Sequence, residues 1–161
     1  MYTAVTDLTA LTPADNASRA RNQIFFLSIA ILSLAGVLVS AVSLERHFAS
    51  SESGFCDFSQ RFNCDIVNRS EYSSIAGVPV AGIGVVGYAA LFAFATFWRS
   101  RRETPNWLLA AAIVGLGFAL YLTYIEAYVL ETWCVLCMTS LALILLIAVL
   151  ALALKMRSNR A

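Results

Sequence analysis

Cys134-Val135-Leu136-Cys137 is a C-x-x-C motif, and Cys56 and Cys64 form a second, wider pair; the chain has no other cysteine. Two thiols at C-x-x-C spacing can close into a disulfide and open again, because the member of lower pKa is a good leaving group. A second pair nearby gives such a motif somewhere to pass electrons. Spacing alone leaves other readings open. Positions 134 and 137 could hold a static disulfide or two small buried hydrophobes, and 56 and 64 a structural staple. A zinc site is disfavoured, because the wide Cys56–Cys64 spacing suits no zinc knuckle and the sole histidine is His47. His47 itself reads as a solvated interfacial residue.

Few other residues could take part. Glu126 is the one acid that the apolar pattern places near a membrane, where an ionisable group is a functional candidate by default. The competing reading is an interfacial carboxylate in water. Tyr121, Tyr124 and Tyr128 are spaced for an aromatic belt, while Tyr88 and Tyr121 could line a cofactor pocket. Asn68-Arg69-Ser70 matches a glycosylation sequon, a pattern common by chance.

These residues must be positioned by an unusually apolar chain. Of its 161 residues, 60% are hydrophobic and 13% charged, too apolar for a soluble domain of this size. Four stretches carry no Asp, Glu, Lys or Arg: Asn22 to Leu44, Tyr72 to Trp98, Thr104 to Ile125 and Thr132 to Leu154. Each holds the ~20 apolar residues that a helix needs to cross ~30 Å of hydrocarbon. A backbone in lipid must satisfy its own hydrogen bonds, so the expectation is an all-α membrane protein, a four-helix transmembrane bundle. The first stretch is too long, and too far behind a polar leader, for a cleavable signal peptide. The net charge is +1 and the basic residues flank hydrophobic runs, so lipid is the expected partner and nucleic acid is not.

The basic residues also orient the bundle. Arg19, Arg21, Arg99, Arg101, Arg102, Lys155, Arg157 and Arg160 fall on one side, and only Arg46, Arg61 and Arg69 on the other. The excess predicts that both termini and the loop between the second and third runs are cytoplasmic. All four cysteines then face the oxidising, extracytoplasmic side, where disulfides persist. The expected organisation is a cytoplasmic tail over 1–21, flexible through residue 18, a membrane domain over 22–156, and a short cytoplasmic tail over 157–161. The outer loop, 45–78, is longer than ordinary connections, and such loops are usually lids or binding loops. Its apolar residues, among them Phe62, Ile66 and Val67, should lay it back on the bundle mouth, and Gly77-Val78-Pro79 marks the entry to the second helix. Glycines in the second and third runs suit close helix approach. Cys134 is expected in the first turn of the last helix, where the helix N-terminus lowers a thiol's pKa, with Cys137 one turn deeper.

The order of these elements resembles the vitamin K epoxide reductase family. The matching features are Cys56, Cys64, Ser70, Gly77-Val78-Pro79, Tyr121-Leu122 and the C-x-x-C at 134–137, over roughly Ile24 to Lys155. The bacterial disulfide bond formation protein B has its C-x-x-C in the first outer loop and its shuttle pair in the second, the reverse of the order here. The resemblance implies a thiol:quinone oxidoreductase. A thioredoxin-like or DsbA-like thiol oxidase outside the membrane would attack a Cys56–Cys64 disulfide at Cys56. Freed Cys64 would attack Cys134, and Cys137 would pass electrons to a quinone of menaquinone, ubiquinone or vitamin K type. Ser70 would bond the quinone, and Val80, Tyr88, Leu122, Glu126 and Leu141 would shape its pocket. Val80 and Leu141 stand where vertebrate members carry an Asn and a Tyr, which suits plain quinone reduction over epoxide reduction. With no thioredoxin-like domain after the last helix, the thiol partner is expected to be a separate protein. The alternatives are a quinone-epoxide reductase and a disulfide-stapled scaffold without catalytic activity.

Overall fold

The computed structural model describes residues 13–49, 62–75, 77–99, 101 and 103–159, with side chains from Ala20 onward. The elements in chain order are α1 (Pro13–Phe48), α2 (Cys64–Asn68), a 3-10 turn (Glu71–Ser73), β1 (Ser74–Ile75), β2 (Val78–Pro79), α3 (Val80–Thr96), α4 (Thr104–Tyr128) and α5 (Val135–Ser158).

Among the described residues three helices are long and apolar enough to span a membrane: Ala20–Phe48 of α1, Thr104–Tyr128 and Val135–Ser158. At 1.5 Å per residue, α4 and α5 run about 36 Å, more than the ~30 Å of a hydrocarbon core. The second charge-free run is helical only over the 17 residues of α3, about 25 Å. Its first residues are drawn into the β1–β2 hairpin, Ser74 opposite Pro79 and Ile75 opposite Val78. Gly77, at φ +81°, supplies the left-handed turn conformation that side-chain-bearing residues avoid. Pro79 then caps α3, having no N–H to contribute.

Two further boundaries differ from expectation. α1 is already helical at Pro13, so the tail expected over 1–21 is helical from there onward. The segment 45–78 is not one loop: α1 continues to Phe48, and α2, the 3-10 turn and the hairpin occupy its second half.

The two faces of α1 explain its packing. Ile24, Leu27, Ile31, Leu34 and Leu38 recur every three or four residues and are at least half exposed, a stripe suited to lipid. On the opposite face Ser33, Gly36, Ser40, Ser43 and His47 follow the same period and turn inward. A Cβ at Gly36 would lie 2.3 Å from the Tyr88 ring, so this glycine is what lets the tyrosine enter. The Tyr88 hydroxyl donates to the Ser140 carbonyl at 2.8 Å, tying α3 to α5. Ile29, Leu91, Leu108 and Ile147 complete a core shared by α1, α3, α4 and α5. At the end away from the cysteines, Lys155 bonds Asn106 and the Arg157 guanidinium lies 5.1 Å from the Phe25 ring centroid.

Candidate functional site

The turn between α4 and α5 builds the first half of the site. Val129 and Leu130 both donate to Ile125 O at 3.0 Å, and Thr132 donates to Glu126 O at 3.2 Å. Glu131 takes a left-handed φ of +50°, the only non-glycine among the described residues to do so. The chain thereby reverses tightly and lays Cys134 against the last turn of α4. There the Cys134 N–H donates to Glu126 Oε2 at 3.1 Å. Glu126 is 2% exposed, so it is not an interfacial carboxylate in water. Cys134 is not in the first helical turn either. It is the N-cap, with extended backbone, and α5 begins at Val135.

The second half comes from the segment before α2. Phe62 forms a parallel bridge with Trp133, and Asn63 N–H donates to Trp133 O at 3.2 Å. Asn63 also caps α2, its Oδ1 accepting from Ile66 N–H at 2.9 Å. The bridge thus sets Cys64 two residues past Phe62 and Cys134 one residue past Trp133. Cys64 and Cys134, both 0% exposed, share one buried cluster with Val67 and Leu136, and Cys137 packs against it. Cys64 is disulfide-bonded, whereas Cys134 and Cys137 are free thiols. Cys56 lies outside the described residues.

Cys134 sits just ahead of the membrane-spanning helix, and its thiol titrates below the ordinary value. The chief cause is a hydrogen bond from the Cys137 side chain, which outweighs burial and the opposing charge of Glu126. The neighbouring thiol, more than the helix terminus, therefore marks Cys134 as the easier thiolate of the reduced pair.

Beside this cluster opens a cavity of about 1050 Å³, counting the space at its mouth, walled by α1, α3, α4, α5 and the α2–β1 segment. Ser70, Val80, Tyr88, Leu122, Glu126 and Cys137 all line it. Leu141 does not: Cys137, Ser140 and Ile144 present the cavity face of α5, and Leu141 falls on the flank beside them. Cys134 also lies outside the lining, so the motif splits, one thiol toward Cys64 and the other toward the cavity. Tyr121 is 52% exposed and not part of the wall.

The sequence reading missed a polar group on the same wall. His47 is half-buried, its Nδ1–H donating to Asn68 O at 2.6 Å, and it is not solvated. Ser43 Oγ donates to Asn68 Oδ1 at 2.7 Å. Asn68 is 6% exposed, which leaves no room for a glycan at the sequon match. The inward period Ser33, Ser40, Ser43, His47 in an otherwise apolar run was the available signal, since such groups in a membrane helix face the protein interior.

A membrane-embedded helical protein that packs a disulfide, a dithiol and a buried acid beside an apolar cavity belongs to the membrane oxidoreductases. The Vitamin K epoxide reductase family profile matches residues 27–152, and the chain belongs to that family. Its chemistry is accordingly that of an oxidoreductase.

Proposed function

We propose that the protein is a thiol:quinone oxidoreductase that reoxidises a thioredoxin-like or DsbA-like oxidase and so supports disulfide formation. The observation that carries this reading is the shared burial of disulfide-bonded Cys64 with Cys134, while Cys137 faces the cavity. Since Cys134 and Cys137 are thiols, Cys56 is the partner assigned to Cys64. Cys64 is fully buried, which favours attack by the partner's thiolate at Cys56. That attack breaks the Cys56–Cys64 bond and leaves Cys64 as thiolate. Cys64 then attacks Cys134 of an oxidised C-x-x-C, and Cys137 departs as thiolate. The partner's second thiol releases Cys56, which attacks Cys64, restores the loop disulfide and frees Cys134. The partner has lost two electrons, and the C-x-x-C has gained them.

A quinone held in the cavity would accept two electrons and two protons and leave as hydroquinone. The apolar walls from Val39, Leu91, Phe118 and Ile144 suit its ring, and Glu126 Oε1 is a buried oxygen without a hydrogen-bond partner on that wall. Glu126 neighbours Cys137 and can carry a proton from the thiol to the cavity. Val80 presents an apolar side chain there, which favours quinone over epoxide reduction.

The same reading sets α3 across the membrane as the fourth span and the cysteine end outside the cytoplasm. The basic residues at the Lys155–Asn106 end support that orientation. In intact cells, after mild reduction, a membrane-impermeant thiol reagent should label Cys56. Labelling only after lysis would refute the orientation.

A further inference from the structure

Most hydrogen-bond donors on the cavity wall are already committed. The hydroxyl of Ser70 donates to Val67 O at 2.8 Å, that of Ser73 to Ser70 O at 2.7 Å, and that of Tyr88 to Ser140 O. Ser43 donates to Asn68 Oδ1, and His47 Nδ1 to Asn68 O. Ser70, the residue expected to bond a ligand, has therefore spent its hydrogen within the protein. Asn68 has not. Its Nδ2 is buried and has no hydrogen-bond partner, yet the residue lines the cavity.

An amide nitrogen removed from water and left unbonded costs free energy, and native proteins seldom leave one so without a reason. Asn68 is also held on both sides, by Ser43 at its side-chain oxygen and by His47 at its carbonyl, so the amide is aimed before any ligand arrives. The second unpartnered polar atom on the wall, Glu126 Oε1, stands beside Cys137. The two groups come from different elements, the end of α2 and the end of α4.

We propose that the Asn68 side-chain amide donates a hydrogen bond to the quinone oxygen remote from Cys137, making Asn68 a specificity residue for rings with two separated carbonyls. This rests on the quinone reading and adds to it the group that recognises the second oxygen. The ligand is then gripped at two points, one at the reacting pair and one at Asn68, and a ring with a single carbonyl can use only one of them.

The test uses the full chain, fully oxidised so that no turnover occurs, and equilibrium dialysis as the readout. The two probes are 2,3-dimethyl-1,4-naphthoquinone and the tetralone of the same skeleton that lacks one carbonyl. Wild type should bind the diketone about tenfold more tightly, the scale of one well-made hydrogen bond in a buried site. In Asn68→Ala the preference should fall to within about twofold, because both probes then make one polar contact. Asn68→Leu keeps the side-chain size and carries no donor, so it gives the same answer should the alanine variant not fold. A tenfold preference surviving in the variants would overturn the role of Asn68 and leave the quinone reading intact. Failure of wild type to bind the diketone at all would overturn the quinone reading itself.

Discussion

Cys137→Ala and Cys134→Ala should each lose dithiol-driven quinone reduction by at least about a thousandfold, the scale of deleting a nucleophile that has no substitute. Among the described residues Cys137 is the only cysteine that lines the cavity, and Cys134 is the C-x-x-C thiol buried with Cys64. Neither can take the other's place. The bundle should survive both changes, because its main core of Ile29, Leu91, Leu108 and Ile147 lies elsewhere. Glu126→Gln, measured alongside, should slow quinone reduction by about a hundredfold, the low end for a positioned proton donor. Glutamine can still accept the Cys134 N–H bond, so thiol exchange should change little. Purified protein in detergent, with dithiothreitol as donor and hydroquinone absorbance as readout, checks all three. Unchanged quinone kinetics in Glu126→Gln would reduce that residue to an anchor for the α4–α5 turn.

The second large effect separates the donors. Cys56→Ala and Cys64→Ala should abolish turnover with a reduced thioredoxin-like protein and keep a measurable fraction with dithiothreitol. A folded partner cannot reach Cys134, which is 0% exposed, except through the loop pair. A small dithiol can enter the cavity and attack an oxidised motif at Cys137. Parallel assays with the two donors decide this, and equal losses with both would contradict the shuttle role.

What could be read in advance divides along physical lines. The membrane helices follow from composition and charge-free length, which are local properties, and the cysteine pairs from spacing. The second run misled because absence of charge was taken for helix. Gly77 and Pro79 instead turn its first residues into a hairpin and leave α3 shorter. Glu126 could not be decided from sequence, because its burial depends on the reversal at Glu131 that brings Cys134 N–H onto its carboxylate. His47 was misread, and Asn68 passed over, for a related reason. Each is polar and solvated in isolation, and each is buried by a partner more than twenty residues away. Leu141 was assigned by correspondence with relatives alone, and the rotation of α5 turns Ser140 to the cavity in its place.

The relay stands or falls on whether Cys64 and Cys134 exchange electrons directly. Their shared burial beside the Phe62–Trp133 bridge provides for that bond without a change of fold. In a Cys56→Ala, Cys137→Ala double variant both resolving thiols are gone, so the exchange intermediate has no way to collapse. Mild oxidation followed by peptide mapping should recover a Cys64–Cys134 disulfide as the principal species, formed within one chain and cleaved by dithiol. Recovery of two free thiols, or of intermolecular disulfides only, would contradict the relay.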